Sequence, residues 1–124
     1  MAKSIRHILK KTGSYKVNGS LWIEFEENHF FGPGRAELLE RIDQSGSINQ
    51  AAKQMRMSYK KAWEMITMLN TQTRQPLVIL QVGGERGGGA KITSEAKELI
   101  TFHRLLRKRF MTFLERETRK LQKS

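Results

Sequence analysis

Two serines eleven residues apart constrain this chain more than any other feature. Ser47 opens the run SINQ, in which its hydroxyl accepts from the backbone N–H of Gln50 while the Gln50 side chain reaches back, a helix-starting box. The short helix it starts, Ser47 to Met55, turns Ile48, Ala51, Ala52 and Met55 to one side, and the small pair Ala51-Ala52 lets another helix approach closely. After Arg56 and Met57, Ser58 is placed to cap a second helix from Tyr59 to about Gln72, with Ala62, Trp63, Ile66 and Leu69 as its inward stripe. A break of three or four residues between two such helices is the spacing of a helix-turn-helix.

The flanks extend that reading. Leu21 to Phe25 alternates as a short strand ahead of the Gly32–Gly34 cluster, and a helix follows from near Arg35, with Leu38, Leu39 and Ile42 at helical spacing and Gly46 as its end. Past Pro76, Leu77–Val82 and Ala90–Thr93 are two short strands around the loop GGERGGG. Thr93 then caps a final helix of some 25 residues or more, acidic early at Glu95 and Glu98 and basic later at Arg107, Lys108 and Arg109, as the macrodipole prefers. The expected architecture is mainly α with a small β wing, a winged helix-turn-helix followed by a long C-terminal dimerisation helix. Residues 1–19 form a basic arm, 20–92 the winged domain and 93–124 the helix. A generic three-helix core with a basic surface is the plainer alternative.

The composition narrows the chemistry. The 124 residues include no cysteine, which removes disulfides, thiolate zinc, iron–sulfur ligation and thiol catalysis, and points to a reducing, cytoplasmic setting. No apolar run approaches the roughly 20 residues of a membrane span, and Lys and Arg interrupt the amino terminus too often for a signal peptide. Twenty-three Lys and Arg against 12 Asp and Glu leave a net charge of +11. The excess is patterned: residues 1–19 carry +5, 20–46 carry −4, 47–74 carry +4, 75–92 carry +1 and 93–124 carry +5. Such a balance suits a polyanionic partner, double-stranded DNA above all, although a solvated basic face kept for solubility explains charge alone equally well.

On the second helix of the pair, Ser58, Tyr59, Lys60, Lys61 and Glu64 stand at or near the outward amino-terminal end. Lys donates to guanine or pairs with phosphate, Tyr meets phosphate or a thymine methyl, and Glu accepts from cytosine N4. Ser47 joins them as a DNA-binding candidate, and Arg86 at the wing tip and Lys91 on its return strand can meet phosphate or enter the minor groove. Glu64 has a simpler role open to it, pairing with Lys60 or Lys61. The glycine loop fails the phosphate-loop pattern because Lys91 is followed by Ile92 and a strand. Leu99, Leu106, Phe110 and Phe113, with Phe102 and Leu105 beside them, make the last helix apolar on more than one side, which predicts a homodimer. His7, His29 and His103 lack ligand spacing and are expected as surface or half-buried residues, and both tryptophans are expected in the core. No nucleophile, acid and base grouping supports an enzyme, and no cofactor or metal is called for. A non-specific or architectural nucleic-acid binder needs only the charge.

From Gly34 to about Leu106, the run GRAELLERIDQSGSINQAAKQMRMSYKKAWEMITMLN, followed by LVILQVGGERGGGAKIT, resembles the amino-terminal DNA-binding domain of the molybdate-dependent transcriptional regulators of ModE type, a LysR-like winged helix. The resemblance implies a homodimeric bacterial regulator reading a palindromic operator, with Ser58, Tyr59, Lys60 and Lys61 entering the major groove and the glycine-rich wing alongside. Two departures stand out. Full-length members bind oxyanion through a carboxy-terminal portion for which this chain, ending at Ser124, leaves no room, so molybdate sensing is not expected to be inherited and no small-molecule effector is identifiable. Arg56 occupies a turn position where the family usually has Gly, at a strain of about 1 kcal/mol if the turn needs positive φ.

Overall fold

In a computed structural model, residues 4–81 and 89–122 are described, and they divide into two compact units. Trp22–His103 form one, here the winged unit; Met1–Leu21 together with Arg104–Ser124 form the other, the terminal unit.

The winged unit opens with a hairpin, β1 (Ile23–Phe25) and β2 (Asn28–Phe31), in which Glu24 pairs with His29 and Phe25 with Asn28. β2 has no counterpart among the sequence expectations, because its turn lacks the Asn-Gly signal. Glu26 and Glu27 instead take positive φ, 49° and 68°, a conformation unfavourable for both. Helix α1 (Pro33–Ser45) starts two residues earlier than expected, since Pro33 has the fixed φ that suits a first helical position. It buries Ala36, Leu38, Leu39 and Ile42 and stops at Gly46, whose φ of 70° is left-handed as a C-cap glycine's should be.

Helices α2 (Ile48–Gln54) and α3 (Tyr59–Thr71) follow as the serines dictate. Ser47 Oγ accepts from Gln50 N at 3.1 Å and Ser58 Oγ from Lys61 N at 3.0 Å. The capping box at Ser47 is only half formed, because the Ser47 N–H donates to Ser45 Oγ instead of to Gln50. Ile48, Ala51 and Ala52 of α2 meet Ala62, Ile66 and Leu69 of α3 in one core with α1. Between the helices, Arg56 does take positive φ, 56°, while Met57 N–H closes the turn onto Ala52 O.

Trp63 departs from expectation. It is 39% exposed, because the closely packed α2 face leaves room only for the stripe Ala62, Ile66 and Leu69, and the indole, one position round from Ala62, falls outside it. Trp22 is exposed as well and donates to Glu24 Oε2.

β3 (Val78–Gln81) and β4 (Gly89–Ile92) pair antiparallel, Val78 opposite Ile92, with Leu77, Val78, Ala90 and Ile92 buried in the same core. Thr93 Oγ1 accepts from Ala96 N and starts α4 (Ser94–Arg119), whose Ala96 and Ile100 complete the core. His103, expected at the surface or half-buried, is buried with its ring edge-on to Phe31 at 5.3 Å. It falls seven residues after Ala96, on the same side of the helix.

In the terminal unit the basic arm is fastened to α4. Arg6 Nε donates to Lys120 O, Val17 N to Thr118 Oγ1, and the Phe110 ring lies against Gly19. Among the described residues no helix is long and apolar enough to cross a membrane.

Candidate nucleic-acid interface

The amino-terminal end of α3 is the exposed end of the helix pair. Tyr59 is 51% exposed, and Lys60, Lys61 and Glu64 are exposed beside it. Among the described residues Glu64 makes no ion pair with either lysine, so both cations and the carboxylate face solvent individually. Trp63 belongs to this surface: its ring stacks on Tyr59 with centroids 6.4 Å apart and planes 16° apart. Sequence reasoning placed the indole inside; the i,i+4 spacing of two aromatics was the signal for a stacked pair.

The hairpin is fixed to the helix pair at two places. Ala90 N–H donates to Gly46 O at 3.0 Å, and a Cβ on Gly89 would stand 3.0 Å from that same oxygen, so β4 runs against the α1–α2 turn because Gly89 has no side chain. At the far end of α3, Asn70 Oδ1 accepts from Leu77 N and Val78 N while its Nδ2 donates to Val78 O, tying the start of β3 to the helix. Gly46 was read from sequence only as the end of α1, and Asn70 and Gly89 were not singled out as attachment points. Between these attachments lies a groove of about 550 Å³, walled by Ser47 and Asn49 at the start of α2, by Tyr59, and by Leu80, Gln81 and Gly89 of the hairpin.

The structure therefore brings Ser47 and Tyr59 to one groove, with Ser58, Lys60, Lys61 and Glu64 adjoining along the start of α3. Lys91 is exposed on β4 between buried Ala90 and Ile92. Arg86 lies outside the described residues.

Of the expected dimer residues, Leu99 packs against the winged core. Leu106 and Phe110 are half-buried in the terminal unit, Phe110 partly under Gly19, and Phe113 is exposed with Arg116 over its ring at 5.9 Å. Phe102 and Leu105 are more exposed than any of these four.

A second polar cluster supports the hairpin β1–β2. The Arg35 guanidinium donates to Phe30 O at 2.7 Å, to His29 O and to Gln72 Oε1, and Gln72 Nε2 donates to His29 O, so α1 and the end of α3 hold β2 together. Burial lowers the Arg35 pKa from its ordinary value. The His29 imidazole is lowered by burial and then by the Arg35 charge, against an opposing pull from Glu24. Among the described residues no group of three His, Asp or Glu is placed to hold a metal ion.

A capped short helix, a tight turn, a second helix with a solvent-facing amino-terminal end and a hairpin fastened beside it define a winged helix-turn-helix. Comparison with known proteins narrows the class. Over 86 residues the chain is 41% identical to the transcriptional regulator ModE of Haemophilus influenzae, covering 69% of this chain and 34% of that protein. It is 40% identical over 86 residues to the DNA-binding transcriptional dual regulator ModE of Escherichia coli strain K12, covering 69% and 33%. With the molybdenum transport protein ModE of Azotobacter vinelandii it shares 38% over 87 residues, 70% of this chain and 32% of the relative. The chain is homologous to ModE regulators over this region, as its motifs implied, and it spans about a third of the length of these curated relatives. No family model matches it.

Proposed function

We propose that the chain is a DNA-binding transcriptional regulator of cytoplasmic setting that reads a palindromic operator as a homodimer. The amino-terminal end of α3 enters the major groove. Tyr59, Lys60, Lys61 and Glu64 face the base edges and adjoining phosphates, Ser58 holds the helix end, and Ser47 and Lys91 line the backbone on either side. Arg86 is assigned to the wing's own contact with phosphate or the minor groove. The carrying observation is that Lys60, Lys61, Glu64 and the Tyr59–Trp63 pair lie outside the core, at the exposed start of α3 beside the hairpin. Pairing through the apolar side of α4, at Leu99, Leu106, Phe110 and Phe113, presents two such helices about one DNA turn apart.

Selection of bound sequences from random duplex DNA tests this reading. The expected product is a palindrome with half-site centres roughly ten base pairs apart, bound on the order of a thousandfold more tightly than a scrambled duplex. Equal binding of both duplexes gives the non-specific binder instead. Sedimentation as a monomer at micromolar concentration overturns the dimer.

A further inference from the structure

The net charge of the chain divides sharply between the two units. The winged unit, residues 22–103, contains ten Lys and Arg and ten Asp and Glu, so it is neutral overall. The terminal unit, residues 1–21 and 104–124, contains thirteen Lys and Arg against two Glu, so it carries the whole +11. The fold produces this division by fastening the arm to the second half of α4, through Arg6 to Lys120 and Val17 to Thr118. Two basic segments a hundred residues apart in sequence thus share one small body. Of its two acids, Glu117 is already engaged by Lys120 at 2.8 Å and approached by Arg116 at 3.9 Å. Lys11, Lys16, Arg107, Lys108 and Arg109 are all exposed. So many like charges held within one body repel one another, which destabilises the compact state until a polyanion or its counterions neutralise them.

We infer that the terminal unit is a second DNA-binding surface, one that grips the phosphates of duplex flanking the operator without reading sequence, while the neutral winged unit supplies readout. The inference deepens the function proposed above and rests on it for the identity of the polyanion. Salt-dependent affinity comes from phosphates neutralised by Lys and Arg, and the terminal unit adds its thirteen cations to Lys60, Lys61, Arg86 and Lys91, which the winged unit is proposed to bring to the backbone. Sequence readout stays with the winged unit, and the terminal unit adds affinity that does not depend on sequence.

The test is a salt titration of the full chain on a selected operator within flanking duplex and on a scrambled duplex of equal length. The neutralised variant carries Lys11→Gln, Lys16→Gln, Arg107→Gln, Lys108→Gln and Arg109→Gln, and a control carries Lys11→Arg, Lys16→Arg and Lys108→Arg. Circular dichroism and the melting transition confirm that each is folded. In the neutralised variant the slope of log affinity against log salt becomes shallower by about two or more, affinity falls at least about tenfold on both duplexes, and their ratio stays within about threefold. The control keeps the original slope. A folded neutralised variant with an unchanged slope overturns the inference, as does a loss confined to the operator. So does an unchanged DNA slope with lost binding to phosphatidylserine vesicles, which would make the partner a lipid surface. Should the natural chain show no operator preference while its slope still depends on these five residues, the sequence-reading function fails and the terminal surface stands.

Discussion

Trp63 stacks on Tyr59 on the solvent side of α3, at 6.4 Å between ring centroids and 16° between planes, with its indole 39% exposed. The pair stiffens the end of the helix proposed to enter the major groove, so it bears on binding more than on stability. Trp63→Ala is expected to cost about 1 kcal/mol of folding free energy, because only part of the ring is buried and the stacking itself is worth about 0.5–1.5 kcal/mol. Leu69→Ala, at a fully buried position on the same helix, is expected to cost about 2–5 kcal/mol. On operator DNA the order reverses: folded Trp63→Ala and Tyr59→Ala each weaken binding about tenfold, as loss of one good contact implies. Urea denaturation with fluorescence anisotropy on one preparation checks both orders, and unaltered operator binding by Tyr59→Ala would remove α3 from the interface.

The hairpin's position depends on the contact between Gly46 and Gly89. Gly89→Ala puts a methyl 3.0 Å from Gly46 O, where the Ala90 N–H already donates, and β4 must shift to admit it. The expected loss is about 1–2 kcal/mol. Gly46→Ala loses about 1 kcal/mol for a different reason, the left-handed φ of 70°. Because a Cβ on Gly46 meets nothing within 4 Å, the two losses have separate causes and the double variant is expected to lose about their sum. A double variant that loses much less than the sum in urea unfolding would show that both changes act through the one contact.

Asn70 carries three hydrogen bonds at the other end of the hairpin. Asn70→Leu leaves two backbone donors and one acceptor without their partner, at about 1–3 kcal/mol for each group that stays buried and dry. Asn70→Asp keeps the acceptor for Leu77 and Val78 but turns a carboxylate oxygen toward Val78 O, so it falls between Asn and Leu. Amide exchange at Leu77 and Val78 reads the clamp directly, and protection unchanged in Asn70→Leu would refute it.

His29 gives the protein a pH dependence whose sign follows from its environment. Its pKa is lowered in the fold, first by burial and then by Arg35, so the unfolded chain binds the proton more readily. The stability tied to neutral His29 is therefore fully present above the unfolded value of about 6.5 and is lost as pH falls through the lower folded value. Urea midpoints measured from pH 7.5 down to 5.5 should decline, and His29→Gln, which keeps the backbone carbonyl used by Arg35 and Gln72, should flatten part of that decline. A steeper decline in His29→Gln would reverse the assignment.

How far the fold could be read in advance varied with the range of the forces involved. Ser47, Ser58, Thr93 and Gly46 mark helix ends by local hydrogen bonding and local φ, and each helix starts or stops where they indicate. Strand β2 was missed because Glu26-Glu27 occupies a turn that short-range preference would give to Asn-Gly. Trp63 lies outside the core where it was expected within, and His103 lies deeper than a half-buried place, both for tertiary reasons: Ala62, Ile66 and Leu69 fill the face that α3 turns to the core, whereas Phe31 offers the imidazole an aromatic edge. The charge division was hidden for the same reason. Summed along the chain, the last helix mixes both signs; only when its first half joins the winged unit, taking Glu95 and Glu98 with it, does the remainder stand out as cationic.

Arg56 offers the cleanest separation of strain from charge. Its φ of 56° lies in the left-handed region, where an L side chain crowds the following carbonyl at roughly 1–2 kcal/mol, part of which Gly returns through its greater freedom when unfolded. Arg56→Gly is therefore expected to stabilise the chain by about 0.5–1 kcal/mol. Arg56→Asn should gain less, because Asn tolerates this region only better than other side chains do, and Arg56→Lys should gain nothing, since it keeps the Cβ. The DNA readout ranks them differently. Gly and Asn each remove a cation beside α3 and Lys retains it, so only the first two should make the salt slope shallower, by at most about one if Arg56 meets a phosphate. Should the Gly variant melt no higher than the natural chain, the turn between α2 and α3 does not hold position 56 in the left-handed region, and the account of how this turn departs from a glycine-containing one is wrong.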